Sequence, residues 1–258
     1  MVFALMTAVV SLGLFFGMVA LLEAGRRFAK RRLAEDEERS RAGLGAVEGA
    51  VFGLFGLLVA FTFAGAASRF EGRRLLITEE ANAIGTAWLR VDVLPPALQP
   101  EVRDLFRAYV DSRLAAYEAL PDFDAARAEL EASTRVQNQL WAAATRGCAA
   151  VPGPQAATLL LPALNELFDV ATKRLMAMRN HPPMVILVML AVLALLASLL
   201  AGCAMAGAKL ASRIHVIGFA SIVSVVFYLI VDLEYPRMGL IRVEEADQLI
   251  RDVRESMR

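Results

Sequence analysis

The sequence predicts an all-α integral membrane protein: four transmembrane helices, plus a four-helix extramembrane block between the second and third spans. Three observations predict it. Hydrophobic residues make up 57% of the 258, more than the core of a water-soluble domain of this length requires. The excess is gathered in four runs long enough to cross a bilayer. The polar remainder repeats with helical spacing and shows no alternating strand pattern.

Val2 to Leu22 is uncharged, Ala46 to Ala67 carries only Glu48, Met184 to Ala208 is uncharged, and Ile214 to Val231 carries only His215. At about 1.5 Å per residue each run spans, or nearly spans, a ~30 Å hydrocarbon core. The first is read as a retained span, because it has no basic leading segment and runs into Glu23, Arg26 and Arg27 without a small-residue cleavage site. The expected organisation is residues 1–67 for the first two spans and their charged loop, 68–182 for the helical block, 183–233 for the last two spans, and 234–258 for an amphipathic tail.

Within the block, Phe70, Ile77, Ile84, Trp88 and Val91 follow helical spacing, in a helix that continues the second span until Pro95 and Pro96 stop it. Leu98, Val102, Leu105, Phe106, Tyr109, Tyr117 and Leu120 form one face of the next helix, ended by Pro121. Asp122 or Asp124 caps a third helix to about Arg146. After the loop Gly147 to Gln155, a fourth runs from about Ala157 to Arg179 and ends at His181, Pro182 and Pro183. Val243 to Met257 makes a last short amphipathic helix.

The formal net charge is zero, which gives no reason to expect nucleic acid as a partner. Cys148 and Cys203 lie in different environments and suggest neither a disulfide nor a thiol site. His181 and His215 have no cysteine or carboxylate at metal-ligand spacing, so no metal or other cofactor is expected. No glycine-rich strand-to-helix loop and no nucleophile motif occurs, so no enzymatic activity is expected.

The second span carries the most information. Gly45, Gly49, Gly53, Gly56, Ala60 and Ala64 recur every three or four residues and form one stripe of minimal side chains. Soluble helices avoid such a stripe, since each glycine costs roughly 1 kcal/mol against alanine. In lipid it lets backbones approach closely, which points to packing in a homo-oligomer. Glu48, Phe52, Phe55, Val59 and Thr62 share a face opposite or lateral to that stripe. If the glycines pack against neighbours, this face is free to line an axis, giving an apolar constriction with a carboxylate ring at its mouth and a preference for cations. The plainer reading makes Glu48 an interfacial carboxylate and the aromatic stripe core or lipid contact.

Other charged groups have plain readings. Arg26, Arg27, Lys30, Arg31 and Arg32 followed by Glu35 to Glu38 make a solvated juxtamembrane helix, or a polybasic anchor for anionic lipid. Glu79, Glu80 and Asn82 read as a solvated face. Asp232, Glu234 and Arg237 read as a local ion pair that fixes the exit of the last span. Basic residues near the membrane number nine on the side of the first loop and eight on the other, which leaves the orientation open.

The stretch Phe61 to Arg74, with Phe61, Arg69, Phe70, Glu71 and Arg73, then Glu80 to Arg90, and the exit motif Asp232 to Val243 with Asp232, Pro236 and Gly239, resemble the bestrophin-like domain family of bacterial membrane proteins. The first stretch also resembles, with one residue missing, the membrane-exit motif of bestrophins themselves. That resemblance implies a pentameric ion channel with four membrane helices, a helical cytosolic portion and an apolar neck on the second helix. It would place the chain as a multi-pass protein of the bacterial cytoplasmic (inner) membrane, with the lipid bilayer, its own copies and inorganic ions as partners. Calcium gating is not implied, because Glu244, Glu245 and Asp247 are scattered where animal bestrophins carry an acidic run. The alternative is a non-conducting membrane protein whose helical block binds a ligand or partner protein.

Overall fold

The computed structural model describes residues 2–32, 41–205 and 212–257. Among them are eight α-helices and no strand: α1 (Val2–Arg32), α2 (Arg41–Leu89), α3 (Gln99–Glu118), α4 (Phe123–Ala149), α5 (Gln155–Arg179), α6 (Met184–Ala204), α7 (Ser212–Glu234) and α8 (Glu244–Ser256). Four of these stretches are long and apolar enough to cross a membrane, and they contain α1, α2, α6 and α7. The acidic run Glu35 to Glu38, the basic residues Arg32, Arg39, Arg41, Lys209 and Arg213, the surroundings of Gly45, and the side chains of Glu244 and Glu245 lie outside what is described.

Local chemistry sets the helix ends. α2 closes in a 3₁₀ turn, Arg90–Val93, and Leu94 takes the extended conformation that a following proline imposes. Asp122 caps α4, accepting from the backbone N–H groups of Asp124 and Ala125 at 3.1 and 3.0 Å. Pro182 and Pro183 separate α5 from α6.

The chain divides into two compact units, Met1–Ser68 with His181–Tyr235, and Arg69–Asn180 with Pro236–Arg258. In the first, α1 packs on α6 with backbone nearly touching backbone. A Cβ at Gly25 would lie 2.2 Å from the Leu199 carbonyl oxygen, and one at Gly202 would lie 2.1 Å from that of Leu22. Only glycine permits either approach, which is how small residues hold helices together in lipid.

The second unit has a conventional apolar core. Ile77, Ile84 and Trp88 of α2 meet Phe106 and Tyr109 of α3, Leu140 of α4, and Leu160, Leu164 and Leu167 of α5. Ile250 and Met257 of α8 are also buried in it. Arg254 clamps α8 to α3 through both oxygens of Asp111, at 2.7 and 2.8 Å.

Candidate functional site

The membrane part of α2 has two unlike flanks, and the aromatic one is not free as expected. Phe55 is 5% exposed. Phe52 is half-buried and meets Phe219 of α7 edge to face, with ring centroids 6.0 Å apart. Val59 and Thr62 are half-buried, and the Thr62 hydroxyl donates to the Leu58 carbonyl at 2.7 Å. Glu48 is half-buried on the same side. Phe52, Phe55 and Val59 border an apolar cavity of about 240 Å³ whose other walls come from α1, α6 and α7. The aromatic flank is therefore turned into the chain's own helices instead of lying free.

The small-residue flank is open. Gly49, Gly53, Gly56, Ala60 and Ala64 are exposed. No atom lies within 4 Å of where a Cβ would stand at Gly49, Gly53 or Gly56. Leu54, Leu57 and Phe61 extend this open side, each more than half exposed.

Farther along, α2 contributes Glu80 to a buried ionic network. Its carboxylate accepts from Arg113 Nε at 2.8 Å and from Arg174 Nη1 at 2.6 Å. Arg174 Nη2 donates to Asp247 Oδ1 at 2.6 Å, and Arg237 reaches the other oxygen of Asp247 at 2.7 Å. Tyr117 stands in the middle. Its hydroxyl accepts from Arg113 Nη2 at 2.6 Å, and the guanidinium carbons of Arg174, Arg237 and Arg113 lie 3.7, 4.8 and 5.1 Å from its ring centre. Burial pushes the Glu80 carboxyl up, but the charges and hydrogen bonds of Arg113 and Arg174 outweigh it and hold the group below its ordinary value. The adjacent Tyr109 hydroxyl is buried without a hydrogen-bond partner, and burial raises its pKa.

Two sequence readings are corrected here. Glu79 and Asn82 are exposed, but Glu80 is wholly buried, because it shares the inward phase of Ile77, Ile84 and Trp88. Arg237 pairs with Asp247 of α8 instead of making a local pair at the exit of α7. Arg113, Arg174 and Tyr117 form a group that no local sequence pattern brings together. The available signal was a lone arginine within each apolar stripe: Arg113 among Phe106, Val110 and Tyr117, and Arg174 after Leu164, Leu167 and Ala171.

The residues of the two motifs are spread over both units. Arg73 is buried and donates from Nε to the Ala177 carbonyl at 3.1 Å and from Nη2 to the Asn180 carbonyl at 3.0 Å, so it neutralises the C-terminal end of α5. Phe70 packs against the core of the second unit, Arg69 is half-buried, and Glu71 is an exposed partner of Arg74. Asp232, Pro236 and Gly239 are buried, whereas Phe61 is 67% exposed.

A groove also runs between α2 and α5. It consists of two cavities, about 370 and 390 Å³, that share Glu79. Asn82, Thr86, Arg90 and Glu166 line one, and Arg69, Arg73 and Asn180 line the other. Groups of three or more potential metal ligands are absent among the described residues.

The model of the Bestrophin-like domain matches residues 13–248. The chain belongs to the Bestrophin-like family. No curated protein matches it in sequence. Solved structures share the fold of this Bestrophin-like chain. A point mutant of a bacterial Bestrophin homolog from Klebsiella pneumoniae has a TM-score of 0.72 at 13% identity, over 95% of this chain and 96% of that one. A second point mutant of a bacterial Bestrophin homolog from Klebsiella pneumoniae has a TM-score of 0.66 at 16% identity, over 93% and 97%. A crystal structure described only as a membrane protein has 0.67 at 15% identity, over 94% and 97%. At these identities the likeness is one of fold: a helical membrane protein of the bestrophin type.

Proposed function

We propose that the chain assembles into a homo-oligomer, a pentamer by the family resemblance, which conducts ions across the bacterial inner membrane along a path lined by α2. The observation that carries this reading is the open flank of α2 in a Bestrophin-like chain. A stripe of five small residues from Gly49 to Ala64 is exposed, with open space where a Cβ would stand at its three glycines, although glycine in a membrane helix serves close helix packing. A second copy supplies that packing. Once the stripe is used, the adjoining Leu54, Leu57 and Phe61 are among the exposed apolar side chains left to form a neck. The neck assignment thus moves from Phe52, Phe55 and Val59, which the protomer's own packing occupies, to the open side of the same helix.

The ionic network serves this reading as a fastener. A buried carboxylate between two arginines is a poor source of net stability, but removing one partner leaves an uncompensated buried charge. Glu80, Arg113, Arg174 and Asp247 thereby specify one arrangement of α2, α3, α5 and α8.

The test is reconstitution. Purified protein in mild detergent is expected to have a mass several times that of the 28.0 kDa chain, and liposomes containing it are expected to pass small ions. A monomer by mass measurement, or liposomes that conduct no salt, would overturn the proposal. A non-conducting protein whose block binds a partner would then be the better reading, and the groove between α2 and α5 is the observation that favours it.

A further inference from the structure

We infer that the cavity behind the aromatic flank of α2 is a binding site for a hydrocarbon chain, supplied in the cell by the acyl tail of a bilayer lipid. About 240 Å³ is bordered by side chains of four membrane helices, and every lining residue is apolar; Phe52, Phe55, Val59, Phe219, Val223 and Phe227 are among its walls. A water molecule needs two to four polar partners, and this lining offers no polar side chain. Apolar cavities of roughly 150 Å³ already stay dry and take up benzene or xenon.

The occupant follows from the surroundings. Two lining residues, Gly56 and Ile222, are exposed and so mark the mouth, between α2 and α7. Gly56 has open space where a side chain would stand, and Ile222 is 66% exposed. Both lie within membrane-spanning stretches, and Ile222, which is outside the small-residue stripe that a second copy would cover, opens the cavity to lipid hydrocarbon. A flexible chain entering between α2 and α7 restores the dispersion contacts that the facing rings lack.

The inference does not depend on conduction and is tested without it. The full chain is purified in a steroid-based detergent, whose rigid body is not an alkyl tail, and its thermal midpoint is followed as dodecane is added. A saturating upward shift of a few degrees is expected, because a ligand that binds only the folded state stabilises it. Val59→Phe, which fills the cavity, and Ile222→Trp, which obstructs its lipid-facing mouth, are each expected to lose the response. The second variant keeps the test open if the first fails to fold. No shift in the wild type, or the same shift in either folded variant, would overturn the site. A change of oligomeric mass in Ile222→Trp together with a retained dodecane response would assign the mouth to a second copy of the chain and overturn the lipid assignment.

Discussion

Arg174 donates to Glu80 across 2.6 Å with the two side chains 3% and 0% exposed, although the residues are 94 positions apart in the chain. Glu80→Ala leaves Arg113 and Arg174 with a buried charge each and no carboxylate between them. A loss of about 3–5 kcal/mol is expected from breaking such a pair, read as a lowered thermal or denaturant midpoint. The pH dependence has a definite sign. The folded-state pKa of Glu80 lies below the ordinary value of 4.5, so its contribution is fully present above that pH and is lost as pH falls below it. Glu80→Gln is accordingly expected to flatten the fall in stability below pH 4.5, and an unchanged acid limb would contradict the assignment.

Asp247 and Arg254 both hold α8, but in different dielectric surroundings. Asp247→Asn removes the charge between the buried Arg174 and the half-buried Arg237 and is expected to raise hydrogen exchange throughout α8. Arg254→Ala breaks a bidentate pair whose Asp111 carboxylate is 53% exposed, so a cost of no more than about 1 kcal/mol is expected. Equal exchange rates in the two variants would refute the distinction.

The flanks of α2 predict opposite phenotypes. Phe55→Ala is expected to lower the thermal midpoint, by less than the roughly 3–5 kcal/mol typical of a soluble core, because lipid is as apolar as the site it leaves. Leu57→Ala and Phe61→Ala are expected to fold normally and to raise ion flux in liposomes. Gly53→Leu, where open space surrounds the glycine, is expected to leave the protomer folded and reduce the oligomeric mass.

Gly72 lies inside α2, with nothing within 4 Å of a Cβ placed there. Gly72→Ala is expected to fold with about 1 kcal/mol of added helix stability and to shift open probability. Gly72→Pro removes a backbone donor and clashes with the preceding turn, at ~3 kcal/mol or more, and is expected to abolish flux. Equal flux from wild type and Gly72→Pro would show that this part of α2 takes no part in gating.

Much of the architecture was determined by the sequence alone, because its causes are local. Four spans follow from uninterrupted apolar runs, the end of α2 from Pro95 and Pro96, the start of α4 from the capping pair Asp122 or Asp124, and the face of α3 from its three- and four-residue spacing. Periodicity also grouped Glu48, Phe52, Phe55, Val59 and Thr62 on one side of α2 and the glycines on another. It could not decide which side the protomer covers, since both are apolar and lipid tolerates either. Only the tertiary structure chose, by setting Phe219 of α7 against Phe52 and leaving Gly53 open. The same holds for Glu80, whose inward phase was readable but whose partners lie 33 and 94 residues away, and for Arg237, drawn to Asp247 instead of the nearer acids. A charge takes the partner that folding brings within reach in a low dielectric, and that distance is not written in any local pattern.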